Sequence, residues 1–133
     1  MNILVSACLL GVECRYNGRG ALIPQAEELL SRHHLIPVCP EILGGLATPR
    51  IPAERVGTGV ITRDGGDVTA AYEKGAGEVL KLAQLYGCQA AILKERSPSC
   101  GSGQVYDGTF TGTLTEGDGV CAACLKEHGI RVY

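Results

Sequence analysis

Four short apolar runs recur along the chain, at residues 3–7, 35–38, 89–93 and 130–133. Runs of this length, bounded by glycine, proline or charge, suit strands buried on both faces of a parallel sheet. Between them lie segments whose apolar residues recur three and four apart. Residues 24–32 form the first, with Pro24 in the opening turn and Ala26, Leu29 and Leu30 on one side. Residues 69–86 form the longest, with Tyr72, Ala76, Val79, Leu80, Ala83 and Leu85 on its apolar side, Asp67 or Thr69 as cap and Gly87 as its end. A third runs from Asp118, read as a cap, to about His128.

Two alternating stretches complete the pattern. Residues 56–67 carry the turn signal Asp64-Gly65-Gly66, and residues 105–114 turn about Asp107-Gly108, so each predicts a small hairpin. Residues 44–54 hold too many glycines and prolines for regular structure and read as an extended loop over the sheet edge. The alternation of strand and helix predicts an α/β fold: one three-layer, Rossmann-like domain over residues 1–133. Its sheet is short and mainly parallel, with about four strands and two inserted hairpins.

Charge narrows the partners. With 12 basic and 14 acidic residues the net charge is −2, and there is one Phe and no Trp. Neither the charge nor the aromatic content suits nucleic acid, and a small neutral or singly charged ligand is the better expectation. The first residues do not read as a signal peptide, and no apolar run approaches membrane-spanning length, so a cytoplasmic location is expected.

Seven cysteines then stand out, because a reducing compartment leaves them metal, cluster or catalytic roles rather than disulfides. Cys8 follows the first predicted strand, Cys39 the second and Cys100 the third, so one sheet edge gathers all three, where open α/β sheets bind ligands. Soft thiolates in such a group select zinc, Cu(I) or an iron–sulfur cluster. The separations of 31 and 61 residues, from positions 8, 39 and 100, are unlike the closely paired spacing of structural zinc sites. Buried thiols without any ligand are the alternative reading of the same pattern.

Of the other cysteines, Cys14 lies near enough to Cys8 to be a rival ligand, and Cys88 precedes a core strand and suits packing. Cys121-Ala122-Ala123-Cys124 is a C-x-x-C at a helix start, an arrangement that lowers a thiol's pKa in thiol–disulfide enzymes, although Val120 and Leu125 beside it favour apolar packing. His33, His34 and His128 fall near helix ends, where imidazole suits the dipole, and take no catalytic role.

Three motifs carry a resemblance. Ser6-Ala7-Cys8-Leu9-Leu10-Gly11 with Arg15-Tyr16 is the first. Pro37-Val38-Cys39-Pro40-Glu41 with Gly44-Gly45 and Thr48-Pro49-Arg50 is the second, and Leu93-Lys94 with Ser97-Pro98-Ser99-Cys100-Gly101 is the third. In this order, and over nearly the whole chain, they resemble the signatures of the 2-thiouracil desulfurase family. The resemblance implies a [4Fe-4S] cluster held by Cys8, Cys39 and Cys100 with the fourth iron open. The activity it implies is removal of sulfur from a thiolated pyrimidine base, a small-molecule substrate. It also implies catalytic roles for Glu41 and Ser97.

An open iron is a Lewis acid with affinity for sulfide, so the protein needs only to activate water and hold the base. Glu41, beside a ligand cysteine, is the expected general base, Ser99 competes with Ser97, and Arg15 or Arg50 can orient the substrate. Each has an ordinary alternative: Glu41 can pair with Arg50, the serines can satisfy loop amides, and the arginines can be solvated. A different class of function also stays open, a non-catalytic metal-binding or thiol-redox domain working through Cys121 and Cys124.

Overall fold

In the computed structural model, which describes all 133 residues, the four apolar runs are strands of one parallel sheet. Strand β1 (Asn2–Ser6) passes into a single 3-10 turn (Ala7–Leu10), helix α1 (Ala26–Arg32) leads to β2 (His34–Val38), and a one-turn helix α2 (Pro40–Leu43) follows. A hairpin of β3 (Ala53–Val56) and β4 (Gly59–Thr62) precedes the long helix α3 (Thr69–Leu85). Strand β5 (Ala90–Ile92), a hairpin of β6 (Gln104–Tyr106) and β7 (Leu114–Glu116), helix α4 (Val120–Glu127) and β8 (Arg131–Val132) complete the chain.

The sheet order is β2-β1-β5-β8 with every neighbour parallel. Ser6 lies opposite Val38 and Val5 opposite Ile92, so the carboxyl ends of β1, β2 and β5 fall at one edge. Alternation along the strands sorts the core into two faces. Leu4, Ile36, Val38 and Ala91 pack with Val79, Ala83 and Leu125 of α3 and α4. Val5, Leu35 and Ile92 pack on the other side with Leu9, Ala21 and Ile23. Each fully buried Leu or Val of these layers contributes about 1.5–3 kcal/mol. No helix is long and apolar enough to cross a membrane.

Several local readings change: α3 is capped by Val68 with no side-chain cap bond rather than by Asp67 or Thr69, and β6 and β7 join through a loop over residues 107–113 rather than a tight turn at Asp107-Gly108. The first hairpin turns at Gly57-Thr58, where Gly57 takes φ 60°, and not at residues 64–66. A two-residue turn with a left-handed glycine matches strand twist, and Asp64–Gly66 makes a separate turn closed by the Thr62 N–H on the Gly66 carbonyl at 2.8 Å. Helix α2 occupies residues to which the apolar pattern assigns no element, with Pro40 at a first-turn position where its missing N–H costs nothing. Asp118 does not cap α4: its Oδ1 accepts from the Gly103 N–H and from Lys126 Nζ, both at 2.8 Å. The first amides of α4 donate elsewhere, Val120 to the Pro98 carbonyl and both Cys121 and Ala122 to that of Ser99.

Two close approaches bring the helices to the sheet edge. A Cβ on Gly75 of α3 would lie 1.8 Å from the Pro40 carbonyl oxygen, so α2 rests directly on the backbone of α3. A Cβ on Gly119 would lie 2.5 Å from the Ser99 carbonyl carbon, so the start of α4 presses against the loop after β5.

Candidate active site

A cavity of about 490 Å³ opens at the carboxyl edge of the sheet. Cys8 reaches it from the 3-10 turn after β1, Cys39 from the junction of β2 and α2, and Cys100 from the loop after β5. Cys14, Arg15, Glu41, Ser97 and Ser99 share the wall, while Arg50 stands behind it. Parallel register accounts for the first three, because the strands that deliver them end level. The Cys100 loop is bonded from inside and below. Ser97 Oγ accepts the N–H groups of Ser99 and Cys100, each at 3.1 Å, and the amides of α4 take the Pro98 and Ser99 carbonyls.

Burial disfavours the thiolate form at Cys8, Cys14 and Cys100. Burial pushes Cys8 up, the neighbouring Cys39 adds to the rise, and Lys94 and Arg15 oppose it. Cys14 is pushed up to about 12 by burial and by Cys39, whose Sγ–H reaches the Cys14 carbonyl at 3.8 Å. Cys100 is also pushed up to about 12, mainly by burial, against hydrogen bonds from Ser6 and from Ser99, whose Oγ is 3.5 Å from the sulfur. Thiolates gathered here repel one another, and a bound soft cation reverses that balance. No three His, Cys, Asp or Glu side chains come together closely enough to grip a single metal ion.

Glu41 is the hub of the polar wall. Its Oε2 is ion-paired with Arg50 Nη2, and the side chains of the pair are only 13% and 8% exposed. Its Oε1 accepts from Tyr72 OH at 3.1 Å and from Ser99 Oγ at 3.2 Å. Arg50 Nη1 and Nη2 also donate to the carbonyls of Ala47 and Cys14 and to Thr48 Oγ1, while its buried Nε has no partner. Ser97 and Ser99 hydroxyls are 3.0 Å apart. Both lone pairs of Ser97 Oγ are taken by backbone N–H groups, so Ser97 is the donor, Ser99 accepts, and Ser99 passes its own proton toward Glu41. Burial, with Glu41 adding to it, drives the Tyr72 hydroxyl strongly upward, so Tyr72 stays a donor.

Sequence reasoning brought Cys8, Cys39, Cys100, Glu41, Ser97, Ser99 and Arg15 to one edge, and all seven line one cavity. It missed Tyr72, which the helical pattern assigns to apolar packing and which meets Glu41 only because α2 sits on α3. It also missed Ser6, whose hydroxyl accepts the Lys94 N–H at 2.8 Å and whose second contact, Cys100, lies 94 positions away (100 minus 6). Cys121 and Cys124 are not on this wall, and none of the three histidines is. Burial raises both α4 thiols, that of Cys121 strongly, and the helix amides that could steady a thiolate are spent on loop carbonyls.

A family model described as 2-thiouracil desulfurase matches residues 3–133. A Bacillus subtilis (strain 168) protein named uncharacterized protein YbbK is 48% identical to the chain over 140 residues, covering 98% of this chain and 93% of its own. A solved structure described as the [4Fe-4S]-dependent thiouracil desulfidase TudS superposes with a TM-score of 0.94 at 46% identity. That match covers 99% of this chain and 89% of the other.

Proposed function

The chain belongs to the 2-thiouracil desulfurase family, and from that premise we propose that it is a [4Fe-4S]-dependent desulfurase acting on a thiolated pyrimidine base. The reaction replaces C=S by C=O: water supplies the oxygen, sulfur leaves as sulfide, and no electrons are gained or lost. Cys8, Cys39 and Cys100 would hold the cluster, which would leave one iron free to take the substrate's sulfur. The observation that carries this assignment is their convergence, with Glu41, on one cavity at the sheet edge.

The donor set suits the group. Three soft sulfurs line a space of small-molecule size, burial disfavours the thiolate at Cys8 and Cys100 until a cation binds, and the Ser6 hydroxyl reaches the Cys100 sulfur. Bound there, the cluster supplies a Lewis-acidic iron with affinity for the substrate's sulfur.

The remaining work falls to this chain's side chains. Glu41 is the proton acceptor for the attacking water, fixed by Arg50 and Tyr72 so that Oε1 faces the serines. A proton drawn from water at Ser99 passes to Glu41, because the Ser99 hydroxyl points that way, while Ser97, its lone pairs filled by backbone amides, holds Ser99 in place. Arg15, on the wall, donates to the exocyclic oxygen of the base, and Arg50 acts through Glu41.

The direct test is product balance on oxygen-free, cluster-loaded protein given 2-thiouracil. One uracil and one sulfide per substrate, with no reductant or oxidant consumed, is expected. Uracil formation that requires an added electron donor or acceptor overturns the mechanism.

A further inference from the structure

One carboxylate on the cavity wall has no part in the chemistry above. Glu54 of β3 is 9% exposed, and its Oε1 accepts the backbone N–H groups of Gly108 at 3.0 Å and Phe110 at 3.1 Å. These two bonds clamp the β6–β7 loop onto the cavity. They hold Phe110 at φ 56°, a conformation that a bulky residue keeps only when its surroundings enforce it. Phe110 and Arg63 both line the cavity, with the guanidinium carbon 5.6 Å from the ring centre.

The other oxygen, Oε2, accepts no hydrogen bond or ion pair from the protein, and it is not among the atoms sealed from solvent. An acceptor-only atom is thus open on the wall of a pocket, on a side chain otherwise nine-tenths buried and immobilised through its twin oxygen. Such an atom selects an N–H donor, and an aromatic neighbour favours a flat ring beside it. A thiolated pyrimidine offers both.

We infer that Glu54 reads the substrate: Oε2 accepts the ring N–H beside the thiocarbonyl while the ring lies along Phe110. This rests on the desulfurase reading and deepens it, because it restricts substrates to rings with a free N–H next to the carbon that loses sulfur. Glu54 is a binding residue here, and Phe110 is positioned through it.

Glu54→Gln separates reading from scaffolding. The amide oxygen replaces Oε1 and keeps both loop hydrogen bonds, while the amide nitrogen places a donor where the acceptor stood. Expected results are an unchanged iron content and melting temperature, a KM for 2-thiouracil raised roughly 10- to 100-fold, and a kcat that changes little. Calorimetric affinity for uracil, which keeps both N–H groups, falls by the same factor. N1-methyl- and N3-methyl-2-thiouracil complete the test: at least one loses roughly tenfold or more with wild type, and that loss vanishes in Glu54→Gln. Phe110→Ala raises KM as well, and Phe110→Tyr restores it. The inference is overturned if wild type desulfurates 2-thiouracil yet Glu54→Gln leaves KM unchanged, or if neither methyl group matters to wild type. If iron-loaded wild type turns over no thiolated pyrimidine, the desulfurase reading itself fails and this one falls with it.

Discussion

The cavity thiols and the two thiols of α4 live in opposite surroundings. Cys8, Cys39 and Cys100 stand at strand ends, around an open space, near Lys94 and Arg15 and within reach of hydroxyls. Cys121 and Cys124 have the more familiar spacing, yet Cys121 is 0% exposed in the core and Cys124 packs against the same cluster. The amides at the start of α4 hold the Ser99 and Pro98 carbonyls, so that helix supports the Cys100 loop from behind and leaves its own cysteines inert. Spacing along the chain is therefore a poorer guide to thiol chemistry than what faces the sulfur in space.

Serine substitution is the strongest way to break the contrast. Cys8→Ser, Cys39→Ser and Cys100→Ser should each abolish stable cluster binding and turnover, read as loss of iron and of visible absorption. Cys121→Ser and Cys124→Ser should keep both. Iron lost equally from the two groups would erase the distinction.

Next in size is Glu41→Gln, which should leave iron in place and lower kcat by roughly 10²–10⁴, the range of a general base. It also leaves the buried Arg50 guanidinium without its counter-charge, which should lower stability in urea unfolding by up to about 3 kcal/mol. The double variant Glu41→Gln, Arg50→Met should recover stability but not turnover, which separates the chemical role of the pair from its structural one.

The smaller effects sharpen the other side. Cys121→Ser places a hydroxyl in a fully buried apolar site and should lose about 1–3 kcal/mol of stability, with kcat at 25 °C unchanged. Cys124→Ser, at a partly exposed position, should stay within about 0.5 kcal/mol of wild type. Both are measured by denaturant titration beside an activity assay.

Much of the architecture was legible because it rests on local pattern. Apolar runs marked the four strands, and parallel strands that end level put Cys8, Cys39 and Cys100 at one edge. Turn chemistry was less legible: Asp64-Gly65-Gly66 carries the stronger signal, but β4 pairs through the glycine turn at residues 57–58 and leaves the other as a connector. Asp118 has the residue type of a cap, but Gly103 and Lys126 take its carboxylate, and the loop before α4 satisfies the helix amides instead.

Within the site, residues that follow a strand in the chain were readable, and those that meet it by packing were not. Tyr72 and Glu54 lie 31 and 13 positions beyond Glu41 (72 and 54 minus 41), on elements read as apolar helix and loop. Their polar partners exist only once α2 docks on α3 and the β6–β7 loop folds over β3. No periodicity announces such contacts. Pro40 did carry a signal for α2, since a proline after a strand opens a helix as readily as it ends a ladder.

The most direct measurement is turnover of 2-thiouracil as a function of iron and acid-labile sulfide restored to stripped protein without oxygen. Activity should rise in proportion to cluster content and saturate at about four irons per chain. Desulfuration by the metal-free protein, or full reconstitution with no desulfuration, would contradict it.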